Sequence, residues 1–366
     1  MKINIEPKLL ADAVAMAREV VKSKSAIAAL DTLLFTATES GLTITATNME
    51  QYLSVTIPCD VVETGSICLP SKYIQAIAST VARTADEMNI AVDGPRARVT
   101  GHSSEAIIPY LMAREFPALP DVCTEHFWAG EGGTLSEDLS WCYGCMDTSR
   151  VGSIYQGVHV IGGIGMVSTD SHCGVMARGF EDEEPSASFA IPAAAIPVLA
   201  KVVSQPNAWT IGRNPDGEVT MLRVANATTT LTTRLVQLEN AGVPNKLMSQ
   251  FSSHSKSGDD DNVWEFDSTN LREALQSVFA FDLPGRMTLR GEGDNVSLLV
   301  NSADHNFRTT ISGSSPIGEE RDVSPLVFKR ALGATKADTV LIRQSGDKWV
   351  VADGNRTACM MGMRRL

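Results

Sequence analysis

A strand-like run ending in a small polar knot recurs three times in this chain, at intervals that divide its 366 residues roughly into thirds. The copies are Leu42-Thr43-Ile44-Thr45-Ala46-Thr47-Asn48, Gly165-Met166-Val167-Ser168-Thr169-Asp170 and Ser297-Leu298-Leu299-Val300-Asn301-Ser302-Ala303-Asp304. About 25 residues after the start of each run, a short strand leads into an apolar helix: Ile67-Cys68-Leu69-Pro70-Ser71-Lys72-Tyr73-Ile74, Phe189-Ala190-Ile191-Pro192-Ala193-Ala194-Ala195-Ile196 and Asp322-Val323-Ser324-Pro325-Leu326-Val327-Phe328. A long internal period argues for one structural unit built three times. Few residues are identical between the copies, and Thr, Ser and Asp are ordinary turn residues. The order of elements must therefore carry the inference.

That order is shared. The first third predicts a strand at 2–5 and a helix over 8–21, with Leu9, Leu10, Ala13, Val14, Ala17 and Val20 at helical spacing. Alternating strands at 32–36, 42–45 and 52–57 follow, then a helix over 71–83 and three strands between 88 and 111. Proline-punctuated Glu115-Phe116-Pro117-Ala118-Leu119-Pro120-Asp121 closes the unit. The second third predicts helices over 136–149 and 193–204, with hairpin turns at Gly162-Gly163 and Asp216-Gly217. It ends near Gly242-Val243-Pro244, before a Ser/Asp-rich stretch over 252–262 that reads as a solvated linker. The last third predicts helices over 268–281 and 325–336, and strands to the end of the chain. The expected fold class is α+β, with domains at 1–122, 123–252 and 253–366, each two helices packed on antiparallel sheets.

Composition narrows the function. A hydrophobic share of 43% and a charged share of 20% are those of a globular protein. No apolar run is long enough to span a bilayer, and the first residues read as a strand rather than an apolar leader, so a cytoplasmic location is expected, without a membrane partner. Seven scattered cysteines argue against a disulfide framework. Cys142-Tyr143-Gly144-Cys145 has no second pair to complete a zinc site and reads as two buried thiols near a helix; no metal or other cofactor is expected.

Motifs for catalysis are weak. Asp170-Ser171-His172 holds triad residue types, but neighbours in sequence cannot converge as a triad must. Gly162-Gly163-Ile164-Gly165 lacks the Lys-Ser/Thr of a phosphate loop. The six histidines show no metalloprotease spacing, so a non-catalytic protein is expected. The net charge of −12 disfavours nucleic-acid binding unless positive charge is confined to one face. The helices and the loops after them carry Lys8, Arg18, Lys22, Lys24, Lys72, Arg83, Arg150, Lys201, Arg272, Lys329, Arg330 and Lys336, while much of the acid lies in turns and linkers.

The chain resembles the bacterial sliding clamps, the beta subunit of DNA polymerase III. The likeness lies in the overall length, the three-unit order and a set of short segments. These are Ala29-Leu30-Asp31-Thr32-Leu33-Leu34-Phe35, Leu42 to Glu50, Leu69-Pro70-Ser71-Lys72, Glu115-Phe116-Pro117-Ala118-Leu119, Ser168-Thr169-Asp170-Ser171-His172 and Met361-Gly362-Met363-Arg364-Arg365-Leu366. The resemblance implies a head-to-tail homodimeric ring of six similar domains, sheets outside and helices lining a hole for duplex DNA. By position it implies DNA contacts at Lys24, Lys72 and the stretch Ser149, Arg150, Ser153, Ile154, Tyr155, where the family's paired tyrosines are missing. It implies a pocket for short peptides of the clamp loader, replicative polymerase and repair factors, formed by Thr169, Ser171, His172, Pro244, Met248, Met361, Gly362, Met363 and Arg364. Methionines suit a pocket that adapts to many peptides. The pocket departs from the family at Cys173 and Gly174, at Gly362 between the terminal methionines, at the extra Arg365 and around Asn245-Lys246, which implies an altered peptide preference. The alternatives are a clamp-fold binding protein that never encircles DNA, and an enzyme with a dispersed site.

Overall fold

The computed structural model describes residues 1–21, 26–102, 104–120, 123–130, 133–146, 157–161, 165–177, 187–236, 262–280, 285–301, 306–345, 347–353 and 356–361. The first third holds β1 (Lys2–Ile5), α1 (Pro7–Arg18), β2 (Thr32–Thr38), β3 (Gly41–Thr47), β4 (Gln51–Ile57), β5 (Asp60–Glu63), β6 (Gly65–Pro70), α2 (Ser71–Val81), β7 (Met88–Asp93), β8 (Arg96–Gly101), β9 (Ser104–Pro109) and β10 (Leu111–Met112). The second holds β11 (Glu125–Gly130), α3 (Thr134–Gly144), β12 (Gly157–Ile161), β13 (Gly165–Thr169), β14 (Cys173–Ala177), β15 (Phe189–Pro192), α4 (Ile196–Val202), β16 (Asn207–Arg213), β17 (Val219–Ala225) and β18 (Thr229–Arg234). The third holds β19 (Asn262–Asp267), α5 (Ser268–Ala280), β20 (Met287–Gly291), β21 (Asn295–Asn301), β22 (Asn306–Ser312), β23 (Glu320–Val323), α6 (Pro325–Ala331), β24 (Thr339–Ser345), β25 (Lys348–Asp353) and β26 (Arg356–Met361).

The triplication lies in the strand order. Each third builds one sheet in which a hairpin trio is joined by a returning strand: β6-β2-β3-β4, then β15-β12-β13-β14, then β23-β20-β21-β22. Each builds a second sheet in which the entry strand lies beside a later trio: β1-β7-β8-β9, then β11-β16-β17-β18, then β19-β24-β25-β26. The fold is α+β, with the same strand order in three repeats. In each third a strand leads directly into each helix, as the repeated phrases predict.

The sheets do not stop at the ends of the repeats. Strand β4 pairs with β18 through the register Leu53↔Leu231, making one nine-stranded sheet. Strand β14 pairs with β26 through Val175↔Ala358, making one eight-stranded sheet. The chain accordingly divides into two compact units, one of residues 1–136 and 197–235, the other of 137–196 and 236–366. The division runs through the middle third and was not legible in the strand pattern.

The helices bury the faces their spacing predicts. Leu10, Ala13, Val14 and Ala17 are buried on α1, and Leu271, Ala274, Leu275 and Val278 on α5. Two predicted helices are shorter than expected. The 193–204 segment opens as a 3-10 turn over Ala193–Ala195, and the 325–336 segment closes as one over Leu332–Ala334. Pro197 lacks the N–H that an earlier helical start would need. No helix among the described residues is long and apolar enough to cross a membrane.

Helix α3 carries an acid where its apolar stripe should continue. Asp138 is fully buried between Leu135, Leu139 and Cys142. Its Oδ1 accepts from Arg356 Nε at 2.5 Å, while Glu137 accepts from Arg356 Nη2 at 3.3 Å and pairs with Lys336. Burial pushes the Asp138 carboxyl above the usual carboxylate range, against the lowering pull of Arg356. The folded chain thus holds this proton more tightly than the unfolded chain, and stability tied to the group declines as pH rises towards the folded value. Replacing Arg356 by Ala leaves Asp138 buried and unpaired, and is expected to cost about 3–5 kcal/mol in urea unfolding. Asp138→Asn keeps an oxygen acceptor and leaves Glu137 to neutralise Arg356, so its cost at neutral pH should be smaller. Equal losses would contradict this account.

Candidate functional site

The polar knots are one turn built twice. In the first, Thr47 Oγ1 donates to the carbonyl of Gln51 at 2.8 Å and accepts from the N–H of Met49 at 3.0 Å. Asn48 Oδ1 accepts from the N–H groups of Glu50 and Gln51 at 3.0 and 2.8 Å. In the second, Thr169 Oγ1 donates to the carbonyl of Cys173 at 2.7 Å and accepts from the N–H of Ser171 at 3.1 Å. Asp170 Oδ1 accepts from the N–H groups of His172 and Cys173 at 2.8 and 2.7 Å. The third residue is left-handed in both, Met49 at φ 74° and Ser171 at φ 79°. Short Asn and Asp side chains satisfy the backbone that such a turn leaves open. The third copy of the knot lies partly outside the described residues.

The second knot differs by one charge. Asp170 stands where the first has Asn48, and its second oxygen pairs with Arg330 on α6. The Arg330 carbonyl in turn accepts from Trp141 Nε1 on α3 at 3.0 Å. Ser171 and His172 are thus exposed on a turn tied to two helices. The β14–β26 register sets Cys173 opposite Met360, so one step further along each strand lie His172 and Met361. The topology therefore brings together two parts of the expected pocket that are almost 190 residues apart in sequence. Thr169 is 5% exposed, with its hydroxyl spent inside the knot. Cys173 is buried and Gly174 half-buried. Pro244, Met248, Gly362, Met363 and Arg364 lie outside the described residues.

Among the expected DNA contacts, Lys72 is exposed on the first turn of α2. Lys24, Ser149, Arg150, Ser153, Ile154 and Tyr155 lie outside the described residues. The helix cations differ in how they are engaged, and Lys201 on α4, in the first unit, pairs with Glu19. Lys8, Arg18, Lys72 and Arg83, all of the first unit, are exposed and form no ion pair among the described residues. In the second unit, Arg330 and Lys336 are paired with acids, Arg272 is bound to backbone carbonyls, and Lys329 sits 4.9 Å above the Phe279 ring. Lys72 opens α2 and Arg83 lies just past its end.

Cys142 and Cys145 are both buried, as the sequence suggests. Burial pushes the Cys142 thiol up to about 12, which disfavours the nucleophilic thiolate. Among the described residues no group of three or more His, Cys, Asp or Glu is arranged to hold a metal ion.

With this geometry in place, known proteins supply the comparison. Residues 1–120 match the family model of the DNA polymerase III beta subunit, N-terminal domain. The beta sliding clamp of Streptomyces coelicolor is 30% identical over 122 residues, covering 33% of this chain and 32% of that protein. The beta sliding clamp of Micrococcus luteus is 25% identical over 122 residues, 33% of this chain and 39% of that protein. The aligned segment thus spans about a third of these curated relatives. A sliding clamp from Pseudomonas aeruginosa superposes over 100% of both chains with a TM-score of 0.85 at 18% identity. One from Bacillus subtilis does so over 100% of both with a TM-score of 0.82 at 17% identity. The first third is similar in sequence to the beta sliding clamps, and the whole chain shares the fold of the solved ones. Sequence likeness is concentrated in the first third, whereas the clamp fold extends over the whole length.

The two ion pairs, Asp170–Arg330 and Asp138–Arg356, were not found from sequence. The second had a signal, an acid at a core-facing position of a helical stripe. Asp170→Ala removes the acceptor of two backbone N–H groups and strands Arg330; a loss of about 2–4 kcal/mol is expected by urea unfolding. Asp170→Asn recreates the first knot and should lose less, with the difference reporting the Arg330 pair.

Proposed function

We propose that this chain is a DNA sliding clamp, a non-catalytic processivity factor that closes head to tail into a ring around duplex DNA. The observation that carries the proposal is the repeated edge pairing. Strand β4 ends its trio and pairs with β18, the last strand of the next repeat; β14 ends its trio and pairs with β26 in the same way. The same rule leaves two edges over, β22 and β9, each at the border of its sheet. They are different strands, so β22 of one copy fits β9 of another, and each copy still offers its other edge. A heterologous contact of this kind either forms a filament or closes. Closure of two copies is the reading favoured by the likeness to clamps. An open sheet edge is also an aggregation liability unless it is paired.

The edge offers a direct test. Ile107 on β9 is 49% exposed and lies opposite Arg98 in the β8–β9 ladder. Ile107→Glu leaves its charge in solvent in an isolated chain but buries it at the contact. It should weaken dimerisation at least tenfold, about 1.4 kcal/mol, by sedimentation equilibrium, with unchanged urea unfolding of the monomer. A wild-type chain that stays monomeric at micromolar concentration would rule out the ring.

Inside such a ring, retention comes from topology, so phosphate contacts can be few, sequence-independent and salt-sensitive. The unpaired cations of α1 and α2 suit that role, and the −12 net charge discourages binding elsewhere. Lys24 and the 149–155 stretch are proposed contacts by resemblance. Lys72→Ala and Arg83→Ala should each lower the salt dependence of DNA binding by about one phosphate contact. Loaded protein should stay on circular DNA and be lost on linearisation. Loss from both alike would favour a clamp-fold binding protein that does not encircle DNA.

The knot at Ser171 and His172, next to Met361, is proposed as the floor of a pocket for short peptides of the clamp loader, polymerase and repair factors, in the cytoplasm. Pro244, Met248, Gly362, Met363 and Arg364 are proposed to complete it. Buried Cys173 and half-buried Gly174, in place of the family's Arg and Leu, support an altered peptide preference. The three repeats are proposed to meet near residues 122 and 252.

A further inference from the structure

The second unit contains a polar cavity of about 450 Å³ beside the start of α5. Its wall includes three cationic side chains, Arg272, Lys336 and Arg356, with Thr269 and Thr335, and a single carboxylate, Asp338. Arg356 is only 8% exposed. Asp138 and Glu137 hold its Nε and Nη2, whereas its Nη1 has no hydrogen-bond partner among the described residues. Arg272 is fixed in the same one-sided way. Its Nε donates to Ser268 Oγ at 3.1 Å, and its Nη2 donates to the carbonyls of Leu332 and Thr335 at 3.3 and 2.8 Å. Both guanidinium groups therefore have one edge anchored, and their remaining N–H groups are left for another acceptor. Anchoring removes the conformational cost that a free arginine pays on binding.

A buried guanidinium with unspent N–H groups, in a polar cavity, suits an oxyanion, although Asp353, which accepts from the Thr335 hydroxyl and the Lys336 N–H, adds negative charge beside it. We propose that this cavity binds a phosphate group, either inorganic phosphate or a terminal phosphate ester. Charge in the surroundings limits how tightly. Glu137 holds Lys336 as well as Arg356, Asp138 stands behind Arg356, and Asp338 lies in the wall. These carboxylates offset part of the cationic field, so binding in the millimolar range is expected rather than the affinity of a dedicated nucleotide site. The inference stands whether or not the chain forms a ring.

The test is thermal unfolding of the full chain in rising inorganic phosphate, with sodium chloride at matched ionic strength as control, on wild type and Thr269→Asp. Thr269 is exposed in the first turn of α5, where an added carboxylate suits the helix dipole, so the variant should fold with an unchanged Tm. Wild type should show a saturable Tm rise specific to phosphate, and Thr269→Asp should need at least fivefold more phosphate for the same rise. If that variant proves unstable, Lys336→Gln replaces it with the same expectation. A wild-type Tm identical in phosphate and chloride would overturn the proposal, as would a full response in both variants. Competition by a 5′-phosphorylated oligonucleotide, but not by its unphosphorylated form, would assign the site to an ester; competition by neither, with the phosphate response intact, would assign it to the free anion.

Discussion

The last strand of each hairpin trio must find a partner for its outer backbone edge, and the rest of the structure follows from how it does so. A strand edge presents unpaired N–H and C=O groups whose burial without partners is costly. Here β4 and β14 are paired by the final strands of the following repeats, β18 and β26. Three modest domains thereby become two extended sheet systems, and the middle repeat contributes a sheet to each unit. In the proposed ring the same solution is applied once more, to β22 and β9 of different copies, so that closure would need no device beyond the one that already joins the repeats.

The knots sit at the entry to these joining strands, and this explains their chemistry. The Thr and Asn or Asp side chains close the turn so that β4 and β14 begin in a fixed register. Asp170 then adds a charge that Asn48 lacks, and Arg330 answers it. Such a substitution is harmless only because the partner is in place; a lone carboxylate at 8% exposure would be costly. The pair anchors the turn that presents His172 close to the end of β26. A structural motif repeated for folding is thus available, at one of its copies, as a rigid base for recognition.

Much of this was legible in the sequence. Alternation along 32–57 and helical spacing along 8–20 place strands and helices because side-chain periodicity directly reflects which face is buried. The turn residues of the knots carried their own chemistry, and the repeated phrases found the same strand-to-helix step three times. Partner strands were not legible, since β18 and β9 both alternate small, polar and apolar residues and nothing local says which is paired. Nor were the long-range ion pairs, because Asp138 and Arg356 are 218 residues apart and each alone looks like an ordinary charge.

By itself the sequence determined the local conformations, the α+β class, the threefold repetition and the resemblance to clamps, because each rests on short-range pattern or on the order of elements. Only the tertiary structure decided which edges meet, that the middle repeat is shared between two units, that the cations of α1 and α2 are left free while those of the second unit are engaged, and that His172 and Met361 come together. Those outcomes depend on hydrogen bonds and charge pairs between residues far apart in the chain, and no single segment encodes its partner.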